Sequence, residues 1–389
     1  MRDVAIIGVG DTKFGELWDA SFRQLGIQAG LEALQDAGVG SRSIDALYVG
    51  NMSGGKLVDQ EHLGALLADY TGLSRDHIPG IRVEAAEASG ALALHQAWYS
   101  VASGVNDIVV AGGAEKMTDV SDEDAVQVRC AGIDQEWEGE VGATDIALHA
   151  IMARRHMKEY GTTREQMAAV AVKNHANGAK NPKAHYRNTI TADAVLKATP
   201  VAEPLGVLDC APVSDGAAAV VLCPADKARR FTEQPVRIAG IGHACDTLAL
   251  HNRRDICTMD AVVRACKKAY HMARLTPKDI DVVETHDATS FTEIMTIEDL
   301  LLVEKGKAGQ LAAEGATSID GKVPVNPSGG LKARGMPLGA VGVAQVVELV
   351  RQLRGAAEGR QVPNAEQGLA LNIGGTGGTA CVTILDAKR

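Results

Sequence analysis

Four stretches carry residue types and spacings that could do chemistry. RVEAAEASGALALHQ, residues 82–96, crowds small residues into a turn before an apolar helix, with Glu87 in the turn. A side chain there would sit where the free N–H groups of a helix mouth point outward. Glu284-Thr285-His286-Asp287 puts two carboxylates and an imidazole at the end of an apolar strand. NPSGGLKARGMPLGAVGVAQ, residues 326–345, opens on an Asn326-Pro327 turn. Ser328, Gly329 and Gly330 follow, where the backbone could approach a ligand closely. NIGGTGG, residues 372–378, adds Asn372, Gly374 and Gly375. Carboxylates, an imidazole and amides near one another are groups that move protons and hold a developing negative charge.

Something must bring these stretches together, and an internal repeat does so. VAIIGVG at Val4, a helical stretch Phe22–Ala37 and SIDALYVGN at 43–51 form one copy. VRIAGIG at Val236, a helical stretch Met259–Met272 and DIDVVETHD at 279–287 form the second. The turn and helix at 85–102 resemble those at 326–353, and DIVVAGGAE (107–115) resembles GLALNIGG (368–375). AAAVVLC (217–223) and TACVTIL (379–385) close the two copies. Alternating strand and helix signals predict an α/β fold. The halves are 1–235 and 236–389, with sheets around a shared helical layer. Residues of about 116–210 have no counterpart and read as a polar, partly helical inserted loop domain. Loops leaving the carboxyl ends of such strands build sites, so the repeat would gather all four stretches at one end.

Composition narrows the classes. The chain has 389 residues, 46% of them apolar, with a net charge of −10. An acidic chain with no basic cluster argues against nucleic acid as a partner. Seven scattered cysteines contain no C-x-x-C pair, so no metal site is expected and reduced thiols in a cytoplasm are. No apolar run is long enough to span a bilayer, and the first residues lack the features of a signal peptide.

The blocks GGAEKMTDV (112–120), EYGTTREQ (159–166), VKNHANGAKNP (172–182), VLDCAPVSDGAAAVVLCP (207–224), THDATSFTEI (285–294), NPSGG and NIGGTGG occur in order along the chain. With them the sequence resembles the thiolase superfamily, on the branch of archaeal acetyl-CoA acetyltransferases and sterol-carrier-protein-type thiolases. The resemblance implies a duplicated five-layer αβαβα fold, a homodimer and coenzyme A as part of an acyl-CoA substrate. It also implies CoA binding in the inserted block, where Arg154, Arg155, Lys173, Lys180, Lys183 and Arg187 are the cationic candidates, and a small OB-fold partner carrying a zinc ribbon. The family's nucleophilic cysteine falls at Glu87, its activating histidine at Met336, and the cysteine of its H-D-C-F segment at Ala288. His286, Asp287, Asn326 and Asn372 are retained.

Those differences predict a changed reaction. Thiolysis needs a thiolate to carry the acyl group, and a carboxylate would form a higher-energy anhydride instead. His286 and Asn326 are expected to form an oxyanion hole for a thioester oxygen, as the resemblance implies. Glu87 is expected to stay ionised at the helix N-terminus and to act as the base of an aldol or retro-aldol step. An acyltransferase with an altered nucleophile position and a non-catalytic acyl-CoA-binding subunit remain the alternatives. Elsewhere, Cys381 reads as inert core, His175 as a surface helix residue, Glu115 with Lys116 as an ion pair, and 119–145 as a solvated loop or dimer contact.

Overall fold

The computed structural model describes residues 1–387. Its eleven strands, in chain order, are β1 Val4–Asp11, β2 Ala46–Gly50, β3 Gly80–Val83, β4 Val109–Glu115, β5 Pro200–Ala202, β6 Leu205–Gly206, β7 Gly216–Pro224, β8 Val236–Cys245, β9 Val282–Glu284, β10 Gln367–Gly374 and β11 Thr379–Asp386. Nine of them run in the order β3-β2-β4-β7-β1-β8-β11-β10-β9. The seam between halves is β1 against β8, paired only at Ala5–Arg237 and Ile6–Val236. On one side β2 runs parallel to β3 and β4, while β7 is antiparallel to β4 and β1. On the other, β9 and β10 are parallel and β11 is antiparallel to β10 and β8. The two sets share one topology: β8, β9, β10 and β11 occupy the places of β1, β2, β4 and β7.

The layers follow from where the apolar side chains go. Helix Phe22–Ala37 begins at Ser21, whose hydroxyl and Gln24 form a capping box, and stops at Gly38 in the left-handed conformation with φ 63°. Its buried stripe covers the outer face of the first sheet through Leu25, Ala29 and Ala33, against Ile7, Val49 and Val221. Helix Asp260–Ala273 does the same for the second sheet, with Val262, Ala265 and Ala269 near Leu371 and Val382. Between the sheets lie Ser89–Ser103 and Val341–Leu353, both largely buried, the second also burying Gln345, Gln352 and a Glu348 paired with Arg360. A Cβ at Gly90 would lie 2.5 Å from the Gly339 carbonyl, so this glycine lets the helix mouth meet the opposite half.

The chain between β4 and β7 forms helices Asp122–Cys130, Asp145–Tyr160, Arg164–Ala179 and Ala192–Leu196 and the β5–β6 pair. Its Ile146, Leu148, Met152 and Met167 join the same core as Phe291, Ile294 and Ile373 of the C-terminal half. This block therefore lies over the end of the second sheet. The stretch 119–145, expected as a solvated loop or dimer contact, is partly helical: Asp122, Glu123, Asp124, Glu136 and Glu140 are exposed, whereas Arg129, Glu138 and Asp145 are buried. Glu115 and Lys116 do not pair with each other. Glu115 accepts from the Met52 and Gly339 N–H groups, and Lys116 lies 2.8 Å from Asp215.

Candidate functional site

Three strand ends deliver the site. After β3 the chain turns through Ala85 and Ala86 to Glu87, then enters helix Ser89–Ser103. Ala86 has φ +51°, a strained conformation for a residue with a Cβ. Ser89 holds the turn by accepting from the Ala85 N–H at 2.9 Å and donating to the Ala86 carbonyl. After β9 comes His286, and near the end of β10 stands Asn372. Gly374 and Gly375 press this second half onto the Glu87 turn. A Cβ at Gly374 would lie 2.5 Å from the Ala85 carbonyl, and one at Gly375 2.4 Å from that of Gly132.

Hydrogen bonds link the halves across this contact. The Gly375 N–H donates to Glu87 Oε2 at 2.6 Å. Three residues earlier on the same segment, the Asn372 amide nitrogen lies 3.1 Å from His286 Nδ1. In this arrangement Nδ1 is the acceptor, so the ring proton sits on Nε2, which has no hydrogen-bond partner among the described residues. Burial drives the His286 pKa down to about 3, with the charges of His149 and Arg129 acting in the same sense. The imidazole is neutral and its Nε2–H is a donor in waiting.

Glu87 is 4% exposed. Its pKa is raised, first by burial and further by Asp145, against the Gly375 N–H bond and Arg129, which lower it. Burial opposes the ionisation expected from the helix N-terminus. The carboxylate precedes the first helical residue, and removal from water is the larger effect. A raised pKa brings a carboxylate nearer to neutrality, where a general base works best. Any activity that uses the Glu87 carboxylate as base is expected to rise with pH through that raised value. Asp145→Asn removes a like charge and is expected to move the rising limb to lower pH, read from a kcat/KM profile. An unmoved limb would separate Glu87 from the rate.

Three further residues, missed in the sequence, act on the site: Arg129 and Asp145 on the Glu87 carboxylate, and His149 on His286. Arg129 Nη2 lies 2.6 Å from Asp145 Oδ2, both buried. His149 follows Asp145 by one helical turn on the same buried face. The available signal was polar Asp145 and His149 spaced i, i+4 among Ile146, Leu148 and Met152, on what is the inward stripe of a helix.

Several expected site residues have another use. Both ends of the Asn326 amide are engaged: Oδ1 accepts from the Thr285 N–H at 2.8 Å and Nδ2 donates to Glu293 at 2.7 Å. Asn326, at φ +55°, braces the turn after β9. The Ser328 hydroxyl and N–H both donate to Glu284. A Cβ at Gly329 would meet the Gly178 backbone at 2.7 Å, and one at Gly330 the Asp287 carboxylate at 2.2 Å. Asp287 in turn accepts from the Leu331 and Lys332 N–H groups. Ser328, Gly329, Gly330, Gly374 and Gly375 thus spend their compactness on chain-to-chain contact, where close approach to a ligand was expected.

Ala288 and Met336 are buried in one apolar cluster with Met52, Leu331 and Leu338. Neither can take a proton. The thiols near the site are held as thiols. Burial raises the pKa of Cys130, whose Sγ lies 4.0 Å from Asp145, and lifts Cys210 to about 11. Cys381, packed on Ala88 and Ala91, is buried and also shifted upward. Each is therefore a poor nucleophile near neutral pH.

The Thiolase, N-terminal domain family matches residues 4–226, and Thiolase C-terminal domain-like matches 242–387. The chain belongs to the thiolase superfamily. It is 56% identical over 384 residues to the acetyl-CoA acetyltransferase of Methanothermobacter thermautotrophicus, covering 99% of each chain. It is 36% identical to sterol carrier protein 2 of Gallus gallus, covering 98% of this chain and 71% of the relative. A solved structure titled Ltp2-ChsH2(DUF35) aldolase superposes with a TM-score of 0.87 at 27% identity, covering 100% of this chain and 98% of the other. The thiolase fold is therefore the one the resemblance implied, and the repeat agrees with it. Among the described residues no group of metal-ligating side chains is present, and no helix is long and apolar enough to cross a membrane.

Of the cations considered for CoA, Lys173 is spent on Glu293 and the Val325 carbonyl, Lys183 on Asp11 and Glu32, and Arg155 on Glu159. Arg154 lines a cavity of about 640 Å³ together with Lys158 and Arg164. His175 is buried, with Nε2 3.3 Å from Lys332 Nζ, and is not the surface residue expected.

Proposed function

We propose that this thiolase-superfamily chain makes or breaks a C–C bond in an acyl-CoA thioester through an enolate, with no cysteinyl acyl-enzyme. The observation that carries the reading is the buried Glu87 carboxylate, hydrogen-bonded into the segment that orients His286, with the thiols of Cys130, Cys210 and Cys381 shifted by burial away from ionisation. In the cleavage direction Glu87 takes the hydroxyl proton of a β-hydroxyacyl-CoA. The Cα–Cβ electrons pass to the thioester carbonyl, leaving an aldehyde or ketone and an enolate. His286 Nε2–H bonds the enolate oxygen. Return of the proton from Glu87 to Cα completes a shorter acyl-CoA. The relative titled an aldolase supports this reading.

Arg154 and Lys158 are the cations we assign to CoA phosphates, beside their shared cavity. A second copy pairs along β3, the open edge of the sheet, where Ile81 is 41% exposed. A small second subunit, which the family resemblance implies as an OB-fold with a zinc ribbon, is in keeping with the two-component name of the same aldolase relative. Seven free cysteines suit a reducing, cytoplasmic setting.

A second reading, acetyl transfer, is favoured by the 56% identity to a protein of that name. Two assays separate them. Acetoacetyl-CoA with free CoA is expected to yield little acetyl-CoA, whereas a panel of β-hydroxyacyl-CoAs is expected to release a carbonyl product. Rapid thiolysis in the first assay would establish acyl transfer. Silence in both, with acyl-CoA still bound, would establish a binding subunit.

A further inference from the structure

Four buried polar atoms with no hydrogen-bond partner belong to residues that act on Glu87 or His286: Nε of Arg129, Oδ1 of Asn372, and Nδ1 and Nε2 of His149. Buried polar groups are nearly always paired, so each needs an explanation. His149 is the most unusual, because neither nitrogen of an imidazole only 2% exposed makes a well-formed hydrogen bond, the Asp145 carbonyl one turn back being its polar neighbour. It is also firmly placed. Its helix, Asp145–Tyr160, is pinned one turn earlier by the 2.6 Å Asp145–Arg129 bond, and Met152, Ala153 and His156 continue the same buried face. The segment after Arg129 touches the Glu87 turn, since a Cβ at Gly132 would lie 3.3 Å from that of Ala86.

The substrate class proposed above carries two oxygens, on the thioester carbon and on Cβ. His286 has one free donor, which serves the thioester oxygen. Glu87 accepts a proton and offers the β-oxygen nothing when that oxygen is a ketone. We infer that His149 is a further substrate-binding residue, which hydrogen-bonds the β-oxygen and selects β-hydroxy- and β-ketoacyl thioesters over those with a bare β-carbon. This rests on the enolate reading of the site. Burial lowers the His149 pKa to about 4, so the ring is neutral, with one nitrogen that donates and one that accepts. Such a ring serves a hydroxyl or a ketone alike. A ligand without the β-oxygen leaves it unpaired and loses affinity for that reason.

The test compares acetoacetyl-CoA with butyryl-CoA, in the absence of free CoA, by titration calorimetry and by 15N resonances of the imidazoles. The wild-type protein is expected to prefer acetoacetyl-CoA by about threefold to tenfold. His149→Leu is expected to bring the ratio to about one, and His149→Gln to restore part of it. The His149 resonances, identified by their loss in His149→Gln, are expected to shift with acetoacetyl-CoA and not with butyryl-CoA. Those of His286 are expected to shift with both. If His286 responds to both ligands and His149 to neither, the inference falls and the enolate reading stands. If His286 responds to neither, both fall. The resonance measurement on wild-type protein decides the matter even if His149→Leu does not fold.

Discussion

Glu87→Gln is expected to lower kcat for β-hydroxyacyl-CoA cleavage by roughly 10²–10⁴-fold, the range that a positioned general base contributes. The amide keeps the shape of the side chain, and its oxygen can still accept from the Gly375 N–H. What it loses is the capacity to take a proton. Binding of substrate is therefore expected to change little, and the loss to fall on kcat. Single-turnover cleavage with a β-hydroxyacyl-CoA and parallel binding titrations would separate the two. An unchanged kcat would remove Glu87 from the chemistry. A companion variant sharpens the point. Glu87→Cys places a thiol at the turn, yet Met336 is fully buried in an apolar cluster and has no proton-accepting atom. Thiolysis of acetoacetyl-CoA is expected to stay low in Glu87→Cys, because a thiol without a base is mostly un-ionised near neutral pH. Brisk thiolysis by that variant would mean that some other group supplies the base.

His286→Ala is expected to cost roughly 10²–10³-fold in kcat, about 3–4 kcal/mol of transition-state stabilisation, as for the loss of one oxyanion donor. The argument is geometric. Asn372 occupies Nδ1 and so directs the proton to Nε2. Burial keeps the ring neutral across the working pH range, with a pKa near 3. A neutral donor in a dry site strengthens as charge develops on the enolate oxygen and contributes little to ground-state binding. The measurement is kcat and KM together. A rise in KM at constant kcat would make His286 a binding residue only. A fall in kcat that keeps the wild-type pH profile supports the donor role, since His286 does not titrate in that range.

The motifs led to Glu87, His286 and Asn372, and the structure joins these three through β10. They also led to Asn326, which the structure assigns to bracing a turn. The two asparagines look equivalent in one dimension, each beside a glycine pair. They differ because Glu293, on the helix Ser290–Asp299 that comes after His286, faces Asn326 and accepts from its amide nitrogen, whereas Asn372 faces His286. The glycines misled in the same way. Small residues do signal close approach, but here the approaching groups are the Ala85 carbonyl, the Gly178 backbone and the Asp287 carboxylate.

The sequence by itself determined the duplicated α/β architecture, the strand–helix–strand units that repeat between the halves, and the absence of cysteine from position 87. These rest on apolar periodicity, on the likeness of one half of the chain to the other and on one residue's identity, none of which needs a contact in space. Tertiary structure alone decided which polar atoms remain free, how far burial shifts Glu87 and His286, and that Arg129, Asp145 and His149 stand beside them. Those properties depend on contacts between residues as far apart as Glu87 and Gly375, 288 positions along the chain. Protonation and hydrogen bonding follow from the packed surroundings of a group, and those surroundings exist only after the halves have closed on each other.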